Sequence, residues 1–151
     1  MTSENTLVLL CFIKRRQDLT EDQFYEYWEK IHGPKIAPWA LKHGIVGYKQ
    51  IHTRATIRGS FAAAVPLPLS TVDFDGAVIW EFPSLDTFLS AFSHPYYVNV
   101  IAPDEKNFLE KTLNETATVT MGYLRPIVSE GESTVECDDQ LALFEQWERE
   151  E

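Results

Sequence analysis

The chain has 151 residues, enough for one domain that buries about two-thirds of the surface its unfolded form exposes. Thirteen Lys and Arg against 23 Asp and Glu give a formal net charge of -10, which repels nucleic-acid backbones and anionic membranes and argues against both as partners. The two cysteines, Cys11 and Cys137, make no disulfide framework, and the apolar run near the N-terminus is too short for a signal peptide or a membrane span, so a cytoplasmic protein is expected. With 44% hydrophobic and 13% aromatic residues, there is material for a core and for a lined cavity.

Residues 6–14 are short, apolar and rich in strand formers, and a polar turn ends them: strand one. Thr20 followed by Gln23 matches a capping box, which predicts a helix over 21–32. Gly33 and Pro34 interrupt it, because proline lacks a backbone donor. A second helical piece over 34–42 opens on Pro34 in the favoured first turn and ends at Gly44, a left-handed cap. Residues 45–54 alternate, with Val46, Tyr48, Gln50 and His52 on one face and Ile45, Gly47, Lys49 and Ile51 on the other: strand two. Residues 55–72, with Gly59, Pro66 and Pro68, read as a long surface loop and a candidate lid.

Residues 74–82 form strand three, and a helix capped at Ser84 runs to about Phe92. His94 and Pro95 interrupt it before a further helical stretch around 104–111. Residues 116–124 alternate threonine with small or apolar residues as strand four. Residues 129–138 read as irregular, and 139–149 as an amphipathic helix with Leu141, Phe144 and Trp147 on one side. The expected division is a domain over 1–128 and an acidic C-terminal extension over 129–151.

The order β-α-β, β-α-β is the split-βαβ, ferredoxin-like arrangement of the α+β class: an antiparallel sheet with its helices on one face. An apolar opposite face needs a cover, and a second copy of the sheet is the simplest, so a homodimer is expected.

Residues 24–39 organise the rest. Phe24, Trp28, Ile31 and His32 share one helical face, and His32 sits at the backbone break between Trp28 and Trp39. Such a histidine serves as the wall of a small-molecule pocket or as a packed core histidine bonded to a carbonyl. Four histidines with no close spacing offer no metal-ligand pair, and there is no phosphate loop and no nucleophile elbow.

The pieces W-x-x-x-H-G-P over 28–34 and P-W-A-x-x-H-G over 38–44, the pair Asp75 and Gly76 opening strand three, and the stretch around 84–97 carry a resemblance across roughly 6–126. The chain resembles the EthD branch of the dimeric α+β barrel proteins, and is similar to fungal members that act on aromatic polyketides, notably decarboxylases of the atrochrysone carboxylic acid type. The resemblance implies a dimeric α+β barrel with a pocket between helices and sheet, an aromatic polyketide as ligand and no cofactor. It also extends to cofactor-free polyketide cyclases or dehydratases and to anthrone-type monooxygenases of the same fold, so fold does not select the reaction. A non-catalytic carrier of a hydrophobic metabolite is the reading from another class.

Within that pocket the candidates are His32, Tyr48, His52, Asp75 and His94. Decarboxylation of a β-keto acid sends electrons into the neighbouring carbonyl, and a donor on that oxygen stabilises the enolate. His52 is expected as the main acid/base, His32 or Tyr48 as the enolate donor, and Asp75 as an orienting carboxylate. Each has a plainer reading: His52 as a solvent-facing strand-end residue, Tyr48 as a core tyrosine, Asp75 as a turn builder and His94 as a local cap. Phe24, Trp28, Trp39, Trp80 and Phe82 are expected as apolar walls, and Lys49, with Lys35 or Arg54, as the cation that an acid substrate requires.

Overall fold

The computed structural model describes residues 5–68, 72–113, 115 and 117–150. A four-stranded antiparallel sheet runs in the order β2-β3-β1-β4, built from β1 (Leu7–Ile13), β2 (Gly47–His52), β3 (Gly76–Phe82) and β4 (Thr118–Tyr123). This is the ferredoxin-like α+β arrangement. In β1 every second residue, Leu7, Leu9, Cys11 and Ile13, is buried beneath the helices, as a strand with one covered face requires.

Helix α1 (Glu21–Tyr27) starts at the expected capping box, with the Thr20 hydroxyl accepting from the Gln23 N–H and the Gln23 amide oxygen accepting from the Thr20 N–H. The break expected at Gly33 and Pro34 is not an interruption. Residues Trp28–His32 form a π-helical turn in which the Gly33 N–H donates to the Trp28 carbonyl, and α2 (Gly33–Lys42) follows without a loop. The chain accommodates the missing Pro34 donor by widening one turn, and the wide turn carries His32 inward. Helix α2 ends at Gly44, whose φ of 71° is the left-handed cap read from the sequence. Gly76 has a separate reason to be glycine: a Cβ there would stand 2.6 Å from the Trp28 ring, so only glycine lets the indole lie on the start of β3.

Three expectations are corrected. The loop read over 55–72 begins as helix α3 (Ala55–Ala64): alanine-rich sequence outweighs the single Gly59, and the helix stops before Pro66. Residues 69–71 of that reading lie outside the described residues. After α4 (Leu85–Ser93) helical turns resume earlier than 104–111, as a second π-helical turn (Tyr97–Ile101), the short α5 (Ala102–Asp104) and a 3₁₀ turn (Glu105–Asn107). Pro95, with its preset φ, suits the start of this segment rather than breaking it. Finally, part of 129–138 is a small hairpin, β5 (Val128–Ser129) with β6 (Glu132–Ser133), turned by Glu130 and Gly131, both at positive φ.

The C-terminal α6 (Asp138–Glu150) matches the expected helix closely, with Leu141, Phe144 and Trp147 more than half exposed. On the sheet face away from the helices, Val8, Leu10, Phe12 and Ile79 are only half covered. No helix among the described residues is long and apolar enough to cross a membrane.

Candidate active site

Two adjoining spaces lie on the helix side of the sheet, and Tyr48 lines both. The outer one is an open groove of about 450 Å³ lined by Glu29, Gly33, Tyr48, Gln50 and His52. The inner one is a cavity of about 30 Å³ between sheet and helices; among its walls are Trp28, His32, Tyr48, Trp80, Glu105 and Phe108.

The groove is built by the alternation of β2, which sends Tyr48, Gln50 and His52 to one side. The Gln50 amide nitrogen donates to the Trp28 carbonyl and to the Tyr48 hydroxyl oxygen, each at 3.0 Å, and its amide oxygen lies 2.9 Å from His52 Nε2. A carbonyl only accepts, so the Trp28 bond fixes which way round the amide sits. The amide oxygen therefore faces His52, and His52 must carry its proton on Nε2. Nδ1 is left as the basic nitrogen. The Tyr48 oxygen already accepts, so the phenol hydrogen is free to donate to a ligand.

The His52 ring is stacked between Tyr25, with centroids 4.8 Å apart, and Trp28 at 5.0 Å. Burial, helped by nearby Arg54 and opposed by Glu29, lowers its pKa and keeps the imidazole neutral. Burial likewise pushes the Tyr48 phenol up to about 12, against the donors Gln50 and Trp28, so Tyr48 stays protonated.

In the cavity His32 Nδ1 lies 2.9 Å from Asp104 Oδ2, and both side chains are nearly inaccessible, at 6% and 3% exposed. The other Asp104 oxygen accepts from Tyr27, from Lys35 at 2.8 Å and from Asn107 at 2.9 Å. Burial alone would raise the Asp104 pKa, but the bonds from Lys35, Tyr27, His32 and Asn107 hold the carboxyl well below its usual range. Burial dominates His32 and lowers its pKa despite Asp104, so the pair is a neutral imidazole with Nδ1–H on a carboxylate. That commits the Nδ1 hydrogen to Asp104 and leaves Nε2 without one, so the neutral ring has no hydrogen to offer an enolate, the role expected of it.

Asp75 does not reach the groove. Its carboxylate accepts from the Arg15 backbone N–H at 2.8 Å and its carbonyl accepts from the Tyr25 hydroxyl, so it ties β1 and α1 to the start of β3. His94 accepts from the Tyr96 N–H at 3.1 Å, a local cap, in a separate surface groove with Trp39, Lys42 and His43. Lys49 points to the opposite face of the sheet, where its ammonium meets Glu81 at 2.9 Å. Of the aromatic walls, Trp28 and Trp80 line the inner cavity, whereas Phe24 and Phe82 are fully buried core and Trp39 borders the His94 groove. Cys11 is buried in β1, and burial pushes its thiol up to about 12, an inert packing residue.

Sequence reading missed Asp104, Glu105, Gln50 and Glu29. Gln50 had a signal, its place between Tyr48 and His52 on one strand face. Asp104 and Glu105 had none beyond being acids among apolar neighbours, since contact with His32 spans 72 positions. Among the described residues no three His, Cys, Asp or Glu side chains are grouped to hold a metal ion.

A ferredoxin-like sheet with a groove lined by histidine, tyrosine, glutamine and glutamate under its helices is a class of fold and site, not one protein. Residues 16–112 match the EthD domain model, so the chain belongs to the EthD domain family. It is 27% identical over 129 residues to the dehydratase aurZ of Gibberella zeae, covering 84% of this chain and 83% of that protein. It is 25% identical over 120 residues to the decarboxylase nsrE of Aspergillus novofumigatus, covering 79% of this chain and 78% of that protein. Among solved structures it is similar to a dimeric protein of ferredoxin-like fold from Bacteroides fragilis, with a TM-score of 0.52 and 14% identity, covering 79% of this chain and 96% of that one.

Proposed function

We propose that the chain is a cofactor-independent lyase that eliminates water from a β-hydroxy ketone fused to an aromatic ring, a polyketide-type intermediate. The observation that carries this is the Gln50 amide, which sets a basic Nδ1 on His52 and leaves a phenol hydrogen on Tyr48, on one strand face. His52 Nδ1 takes the proton from the carbon beside the carbonyl. Tyr48 gives its hydrogen to the carbonyl oxygen as the enolate forms and takes it back as the carbonyl re-forms. The imidazolium then returns its proton to the departing hydroxyl, so that an alkene and water leave and His52 is neutral again. A groove of about 450 Å³ suits a planar bicyclic or tricyclic ligand, with Trp28 behind it.

Decarboxylation of a β-keto acid through the same enolate is the second reading, favoured by the likeness to nsrE. It stands second because, among the described residues, the groove lining includes Glu29 and no Lys or Arg, Lys49 lies on the other face of the sheet, and the cation near His52, Arg54, pairs with Asp22 and lies over the Tyr25 ring. The half-covered far face and the dimeric Bacteroides fragilis relative support a homodimer.

The test uses the β-hydroxy tetralone whose dehydration gives a naphthol, with and without oxygen. Acceleration independent of oxygen, reduced roughly 10²- to 10⁴-fold in His52→Ala with ligand affinity within a few-fold, is expected. Release of carbon dioxide from the matching β-keto acid, with the hydroxy ketone untouched, moves the assignment to decarboxylation. Tight binding of the naphthol without turnover of either makes the protein a carrier, and turnover only in air makes it an oxygenase.

A further inference from the structure

The inner cavity and Glu105 are not used by the chemistry above. Glu105 is 3% exposed, and one of its carboxylate oxygens accepts from the Leu113 N–H at 2.9 Å. It lines the same cavity of about 30 Å³ as Tyr48 and His32, whose Nε2 is not the nitrogen held by Asp104. The remaining walls named above are aromatic. A space of that size fits about one water molecule, and a buried water needs two to four polar partners. Tyr48, Glu105 and His32 are three such partners on three different elements.

We propose that this cavity seats a water bridging Tyr48 and Glu105, which makes Glu105 the proton reserve of Tyr48. The inference rests on the lyase reading for its consequence and not for its geometry. When the Tyr48 hydroxyl passes its hydrogen to the enolate oxygen, the carboxyl proton of Glu105 moves through the water to the phenolate. When the hydroxyl leaves and the carbonyl re-forms, the proton returns along the same path. No electrons change hands, and every group ends as it began. Glu105 acts through Tyr48 and is a positioning residue.

The groups that face Glu105 agree. From β1 comes Cys11, from β2 Tyr48, from the first π-helical turn His32 and from the second Tyr97; all of these are neutral as described or bear a raised pKa. Burial, reinforced by the charges of Asp104 and Glu115 and opposed by the Leu113 N–H, raises the Glu105 pKa to about 7, so the carboxyl can both hold and release a proton near neutrality.

The test has one arm without catalysis and one with it. In the first, infrared spectra of the wild-type protein at about pH 6 should show a protonated carboxyl that is absent from Glu105→Gln and shifted in Tyr48→Phe, because the two groups share a water. A band missing at that pH, or unmoved by Tyr48→Phe, overturns the proposal whatever the enzyme does. In the second, kcat with the hydroxy tetralone should fall as pH rises through about 7 in the wild type, and should be about tenfold lower and lack that limb in Glu105→Gln, with KM within twofold. Wild-type kcat and pH profile in Glu105→Gln also overturn it. If His52→Ala keeps full activity, the lyase reading fails on its own, and the infrared arm still decides whether Glu105 and Tyr48 are linked.

Discussion

Two histidines twenty positions apart show how the same side chain is given two different bases. His32 sits on a π-helical turn, sealed from solvent, with Nδ1 bound to a carboxylate. His52 sits at the end of an edge strand, half-buried between two aromatic rings, with Nε2 bound to an amide oxygen. The free nitrogen is therefore Nε2 in one and Nδ1 in the other, and in both burial keeps the ring neutral. The difference lies in what holds the partner. Asp104 is locked by three donors besides His32, namely Tyr27, Lys35 and Asn107, so His32 belongs to a buried network whose loss is expected to cost stability. Gln50 is held by one carbonyl and one phenol, so His52 belongs to a short, groove-facing chain whose loss, on the proposed function, falls on activity rather than on stability.

The largest break in that contrast is Asp104→Ala. It strips a shared acceptor from His32, Tyr27, Lys35 and Asn107 in a buried place, and a loss of roughly 3–5 kcal/mol is expected in denaturant unfolding. A loss under about 1 kcal/mol would show that the network is not structural.

Next in size is the pH dependence around the buried pair. Glu105 is raised from 4.5 to about 7 in the fold, so its neutral form stabilises below about pH 4.5, and that contribution is lost as pH rises to about 7. Glu105→Gln should therefore gain stability relative to the wild type between pH 5 and 8, by up to roughly 3 kcal/mol at about 1.4 kcal/mol per pKa step. His32 has the opposite sign: its folded pKa is lowered, so its contribution is present above about pH 6.5 and is lost as pH falls. A wild-type protein whose melting temperature rises steadily from pH 5 to 8, in parallel with Glu105→Gln, would contradict the Glu105 assignment.

Gln50→Leu sharpens the catalytic side. It frees the His52 tautomer and removes a donor from Tyr48 while leaving the Asp104 network intact, so kcat should fall about 10- to 100-fold with unfolding stability changed by roughly 1–2 kcal/mol. Smallest is Lys49→Ala. Its pair with Glu81 is on the far face with the lysine 61% exposed, so both stability and KM should change little, within about 1 kcal/mol. A large rise in KM would return Lys49 to the substrate site.

Local rules read from neighbouring residues hold where the chain obeys them locally. The Thr20 and Gln23 box, the Gly44 cap and the strand alternation all concern contacts within a few positions. The same alternation already sets Lys49 and Tyr48 on opposite faces of β2, and only the appeal of a cation near an acid substrate argues for Lys49 in the site. Reading 55–72 as a loop weights one glycine and two prolines over the alanines between them, and the helix shows the opposite balance up to Ala64.

Sequence by itself determined the order of the four sheet strands with the first helices between them, the ferredoxin-like sheet, the EthD resemblance and the face shared by Tyr48, Gln50 and His52, because each depends on spacing along the chain. Tertiary structure alone decided that Asp104 would meet His32, that Glu105 would share a cavity with Tyr48, and that Asp75 would tie β1 and α1 to β3 while His94 made a local cap. Those outcomes depend on which distant segments pack against the π-helical turn at Trp28–His32, and no period or motif in the sequence encodes that packing.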